Sequence, residues 1–128
     1  MSITTEISVG EFLDKLTILQ IKQARIDDAA KLANINREFD ALTQLWSDSI
    51  YAGADIDDLL RQLRQVNEQL WDIEDDIRAK EAAGQFDARF IELARSVYIT
   101  NDRRARIKKT INEKLGSGLV EEKSYQDY

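Results

Sequence analysis

The sequence predicts an all-α fold, an antiparallel helical bundle of about four helices arranged as two helical hairpins with a C-terminal tail. Three observations carry this. The 128 residues include no proline, the residue that disrupts helix interiors most strongly. Apolar residues recur at spacings of three and four through most of the chain. The glycines other than Gly10 fall between these periodic runs, where helices end. The composition, 33% charged and 43% hydrophobic, suits uninterrupted helices, and the length fits a single domain spanning residues 1–128.

The first helix opens at Ile7-Ser8-Val9-Gly10-Glu11-Phe12. Ser8 followed three residues later by Glu11 is a capping box, and Ile7 is placed to staple onto Phe12. Glycine at the second helical position leaves the terminal N–H groups unshielded, so the same residues also describe an anion contact. A lone glycine does not establish one, and capping is the simpler reading. Phe12, Leu13, Leu16, Ile18, Leu19, Ile21 and Ile26 cover more than a narrow stripe, which predicts the most buried helix over about residues 9–27. Lys15, Lys22 and Arg25 share one face of it. If that helix is buried, these cations require anionic partners.

Leu32, Ile35, Phe39, Leu42 and Trp46 place a second helix at about 34–50. No proline or glycine lies between Ile26 and Ile35, so one bent rod is an alternative; a break within 27–34, capped by Asp27, Asp28 or Asn34, is the expectation. Gly53 with Asp55, Asp57 and Asp58 marks a loop and a new N-terminus. A third helix over about 56–83 carries the seam Leu59, Leu63, Val66, Leu70, Ile73 and Ile77, coiled-coil-like in spacing. Gly84 ends it, Asp87 caps the next, and Phe86 is placed to staple onto Ile91. The fourth helix runs over about 88–115 to Gly116. The loop between the last two helices permits only an antiparallel hairpin. The tail, 117–128, carries Tyr125 and Tyr128 and is expected to dock on its own bundle or on a neighbour.

Four runs, "SVGEFLDKLTILQIK", "VNEQLWDIEDDIRAKE", "FIELARSVYITNDRRARIKKTIN" and "EEKSYQDY", together resemble a family of small bacterial all-helical proteins, a domain of unknown function. The resemblance covers the whole chain. It implies a stand-alone bacterial domain and an association with glycosyltransferases of cell-surface polysaccharide synthesis. It carries no catalytic residues with it.

Composition excludes much chemistry. There is no histidine and no cysteine, which removes the usual zinc sites, Cys or Ser/His nucleophile pairs and imidazole acid–base work. No cofactor is expected; the acidic run leaves room only for a weak Mg²⁺ at Asp72, Asp75 and Asp76. A net charge of −6 argues against nucleic acid as a partner. No stretch approaches a membrane span and no signal peptide opens the chain, so a cytoplasmic protein is the expectation.

Three places can hold polar chemistry. Asp72 with Asp75, and Glu11 with Asp14, are helical carboxylate pairs suited to a metal, or else solvated faces supporting Arg78 and Lys80. Asn67 and Glu74, at the rim of the third helix's seam, fall roughly level with Arg103 and Ser96 on the fourth. That convergence describes either a small polar pocket or a hydrogen-bonded layer fixing register. "RRARIKK", Arg103 to Lys109, describes an anion site or a basic helix end answered by Glu121 and Glu122. Asn67, Glu74, Tyr98, Asn101, Arg104 and Lys108 are the candidate binding residues; Lys15, Lys22, Arg25, Asp72, Asp75 and Asp76 are the candidate ion-pair network. No catalytic residue is assigned. The sequence reads as a non-catalytic interaction or accessory domain, a homodimer with a further protein partner. The competing reading is an enzyme or binding protein for a phosphorylated or acidic sugar or nucleotide.

Overall fold

Four helices follow one another in the computed structural model, which describes residues 1–128: α1 (Val9–Arg25), α2 (Ala29–Asp48), α3 (Asp57–Ala82) and α4 (Ala88–Leu115). The chain is an all-α bundle with no strand. No helix is long and apolar enough to cross a membrane.

The boundaries have local causes. Ser8 Oγ accepts the Glu11 N–H at 3.1 Å and caps α1. Asp28 caps α2 through the Lys31 N–H at 2.9 Å. Helix α2 therefore opens at residue 29 rather than near 34, and the break shrinks to Ile26, Asp27 and Asp28, with Ile26 and Asp28 in extended backbone. Asp87 caps α4 through the Phe90 N–H at 3.0 Å. Gly84 and Gly116 adopt positive φ, 64° and 62°, the left-handed conformation that ends a helix cheaply only in glycine. The residues of the two expected staples, Phe12 apart, stay largely in solvent. Ile7 remains exposed, and Phe86 lies edge-on to Phe90 at 5.2 Å instead of covering Ile91, which is also exposed.

Cross-helix contacts fix the topology. Phe12 stacks near Trp46 and Gln23 bonds Asn36 at 2.9 Å, so α1 and α2 form one antiparallel hairpin. Arg103 on Gln69 at 3.1 Å and Lys80 on Asp87 at 2.9 Å close α3 and α4 into the other. Helix α1 packs against all three others, whereas α2 makes helix–helix contact with α1 alone. The core gathers Val9, Leu13, Ile56, Leu63 and Ile111, where α1 and α3 begin and α4 ends. Phe12, Trp46, Tyr51 and Ile107 pack around it. Only 17 of the 128 residues are buried, and more apolar residues are half-covered or exposed than buried.

Candidate functional site

Helices α1 and α4 approach each other backbone to backbone at Gly10. A Cβ on Gly10 would stand 2.6 Å from the Lys108 carbonyl oxygen, a distance no side chain tolerates without backbone movement. The Gly10 N–H donates to Asn112 Oδ1 at 2.6 Å, and the Val9 N–H donates to Ser117 Oγ at 3.2 Å. The open helix start is thus occupied by the protein's own α4 and tail. Neither the anion contact nor bare tolerance of glycine accounts for this residue; close approach of two backbones does.

Two matched charge pairs continue the seam. The spacing Glu11–Asp14 on α1 meets Arg104–Lys108 on the antiparallel α4. Lys108 pairs with Glu11, while Arg104 grips Asp14 with two donors, Nε at 2.9 Å and Nη2. The Asp14 carboxylate is fully buried and also accepts from Asn67 Nδ2 at 2.8 Å; the same amide reaches Thr17 Oγ1 at 2.9 Å. Bonding to Asp14 raises the Arg104 pKa despite partial desolvation. Every buried side-chain polar atom has a partner. Within the capping box only one half forms, because the Glu11 carboxylate turns to Lys108 instead of back to the cap.

The structure brings some candidate residues together and separates others. Asn67 and Arg104 meet on Asp14. Arg104, Lys108 and Asn101 line one small chamber, and Asn101 also borders a second cavity with Tyr98. Glu74 makes no bond to the buried layer and pairs with Arg78 on its own helix, yet it lines a cavity of about 400 Å³ together with Asn67 and Arg104; Ser96 bonds the Glu92 carbonyl behind it. In the expected ion-pair network, Arg25 pairs with Asp72. Asp72, then Glu68 and Asp75, hold the Arg25 pKa up. Asp76 reaches Arg89 at 4.0 Å. Lys15 and Lys22 form no ion pair, because Lys15 is exposed and Lys22 half-exposed on the outer face of α1. The premise that burial of α1 carries all three cations into low dielectric does not hold. No group of three or more Asp or Glu is placed to share a metal ion.

The tail runs back along α4. Ser8 Oγ donates to the Glu121 carboxylate, and Asn112 Nδ2 reaches its other oxygen at 3.4 Å. Partial burial opposes ionisation of Glu121, but the Ser8 hydroxyl, its own backbone N–H, Lys108 and Asn112 together hold its carboxyl below the usual range. Further on, Tyr128 meets Tyr98 edge-on at 5.2 Å and faces Asp102. The tail is therefore a clasp on its own chain.

Asn112 is the site residue that reasoning from sequence does not single out. Asp14 and Glu121 are named there, but as part of a metal-type carboxylate pair and as counter-charge to the basic run, not as the partners of Arg104 and Asn67 or of Ser8 and Asn112. Asp14 had one signal: Gly10, Asp14, Thr17 and Ile21 repeat at 4, 3 and 4, and all four are buried. Short polar residues on a stripe of that period mark a polar layer inside a helix interface.

An α1 helix clamped by ion pairs between two others, with a self-docked tail, defines a small all-helical module whose buried polar groups are bonded to one another. The chain belongs to the Family of unknown function (DUF6165), which matches residues 3–128. No curated protein and no solved structure matches it.

Proposed function

We propose that the chain is a non-catalytic interaction domain that works as a homodimer, an accessory module of cell-surface polysaccharide synthesis in a bacterium. The last part rests on the sequence resemblance alone. The observation that carries the rest is the amount of surface left uncovered. The accessible surface is 8861 Å², against about 6,900 Å² expected for a compact monomer of 14.7 kDa. The excess, about 1,900 Å², comfortably contains one subunit's share of a standard interface.

Helix α2 supplies a face for it. Held by α1 alone, it buries only Ile35 and leaves Phe39, Leu42 and Trp46 half-covered. Between α1, α2 and α3 lies an apolar groove of about 450 Å³, with Leu16, Phe39, Trp46 and Leu60 in its walls. A twofold pairing of this face is the commonest way to cover such a surface. The interior supports the non-catalytic reading. Asp14 and Arg104 already satisfy each other, and a general acid or base must have a proton to exchange with a substrate within hydrogen-bond reach.

Sedimentation velocity at tens of micromolar is expected to show a dimer. Thr43→Arg, on an exposed residue of the groove wall, should convert it to a folded monomer. A monomeric wild-type chain at that concentration overturns the proposal, and a dimer indifferent to Thr43→Arg moves the interface elsewhere.

A further inference from the structure

A basic patch on a negatively charged chain lies between α4 and the tail. A chamber of about 110 Å³ there is lined by Asn101, Arg104, Lys108, Lys109, Glu121 and Lys123, four cations and one carboxylate on a chain of net charge −6. Three of these charges are already committed. Arg104 is held by Asp14, Lys108 by Glu11, and the two oxygens of Glu121 are taken by Ser8 and Asn112. Lys109 and Lys123 take part in no ion pair. Lys123 stands over the Tyr125 ring at 5.7 Å, and these two cations, neither with an anionic partner, border one small space and call for a compact anion of matching charge. A phosphate monoester, with about −1.5 to −2 at pH 7, supplies it where a carboxylate supplies only one charge.

Beside this chamber, sharing Asn101 and Lys123 with it, is a second cavity of about 500 Å³ walled by Val97, Tyr98, Tyr125 and Tyr128. Tyr98 and Tyr128 meet edge-on at 5.2 Å, Tyr128 faces Asp102, which also lines the cavity, and Lys123 covers one face of Tyr125; the ring surfaces left over border the space and suit a ring-shaped group. Residues of the tail form the outer wall of both cavities, and Glu121 fastens that wall to Ser8 and Asn112.

We propose that the two cavities are one binding site, assembled by the C-terminal tail, for a small phosphate monoester that carries a ring. Lys109 and Lys123 meet the phosphate, and Tyr98, Tyr125 and Tyr128 surround the ring. Glu121 is the anchor that brings Lys123 and the two tail tyrosines into place. The site shares no residue with the apolar groove, so it stands or falls independently of the dimer.

Phenyl phosphate is the probe, titrated calorimetrically into the full chain beside inorganic phosphate and benzoate. Phenyl phosphate is expected to bind about tenfold tighter than inorganic phosphate, the gain from one ring contact, and tighter than benzoate. Lys109→Ala, on an exposed and unpaired residue, should weaken it about tenfold or more. Deleting residues 119–128 should abolish the ring's contribution, leaving phenyl phosphate no better than inorganic phosphate. Circular dichroism checks that both variants keep their helices. Bound phenyl phosphate should also slow tryptic cleavage after Lys123. Benzoate binding as tightly as phenyl phosphate, unchanged phenyl phosphate binding after the deletion, or no saturable binding overturns the assignment. A phosphotyrosine peptide binding more tightly than phenyl phosphate overturns the small-molecule class.

Discussion

Replacing Asp14 by alanine tests whether the buried polar layer is structural. The carboxylate it removes is fully buried and accepts from Arg104 Nε at 2.9 Å, from Arg104 Nη2 and from Asn67 Nδ2 at 2.8 Å. Breaking a buried ion pair by deleting one partner costs about 3–5 kcal/mol. Two features place this case at the lower end. The Arg104 side chain is 27% exposed, so the abandoned guanidinium recovers some water, and Asn67 keeps Thr17 as a partner at 2.9 Å. The expected loss is about 3 kcal/mol, a large share of the 5–15 kcal/mol that holds a typical domain together. With a urea m-value of about 2 kcal/mol/M, the unfolding midpoint should fall by about 1.5 M. Adding Arg104→Met to Asp14→Ala removes the stranded charge and should recover part of the loss, since buried pairs exchange for apolar groups at little net cost. A loss under about 1 kcal/mol for Asp14→Ala, or strict additivity of the two substitutions, would refute the account of Asp14 as the centre of a coupled layer.

Gly10→Ala should destabilise the chain, against the usual gain of about 1 kcal/mol for that change inside a helix, because the new Cβ meets the Lys108 carbonyl at 2.6 Å; a higher urea midpoint would show that the α1–α4 crossing is looser than described. The tail should release in acid. The Glu121 pKa is depressed in the docked state, so its contribution to docking is complete above the free-glutamate pKa and is lost as pH falls through the lower, docked value. Tail amide resonances followed by NMR should therefore titrate with a midpoint below the ordinary glutamate range, and a midpoint at or above that range would remove Glu121 as the anchor.

The elements whose signals are local were readable in the sequence. Ser8, Asp87, Gly84 and Gly116 mark helix ends through their own neighbours, and the structure uses each of them so. Asp28 was one cap candidate among three, and choosing it required knowing how soon α2 begins after α1. What stayed hidden was set by which helix lies against which. Glu11 and Asp14 look like a carboxylate pair for a metal until Lys108 and Arg104, about ninety residues away, are brought opposite them. Lys15 and Lys22 look buried when α1 is judged by its apolar count, yet its outer face stays open because α2 covers only part of it. Glu121 sits in a charged tail without periodicity; its charge near Lys108 was legible from the basic run, but its bonds to Ser8 and Asn112 appear only when the tail returns to α1.

The stripe Gly10, Asp14, Thr17 and Ile21 explains why α1, not the longer α3 or α4, is the central helix. Gly10 lets the α4 backbone close in where α1 begins. One turn on, the gap suits a carboxylate that reaches Arg104 on α4 and Asn67 on α3 together, tying three helices through one side chain. Thr17 completes the amide's bonding, and Ile21 returns the stripe to apolar packing. Glycine at position 10 therefore follows from the same constraint as aspartate at 14. A larger residue at 10 would push α4 outward, lengthening the Arg104–Asp14 bonds and stranding a buried carboxylate, so substitutions at the two positions should couple instead of adding. A double-mutant cycle on Gly10→Ala and Asp14→Ala is expected to show the first substitution costing less once the second is present; equal costs in both backgrounds would separate the close approach from the polar layer.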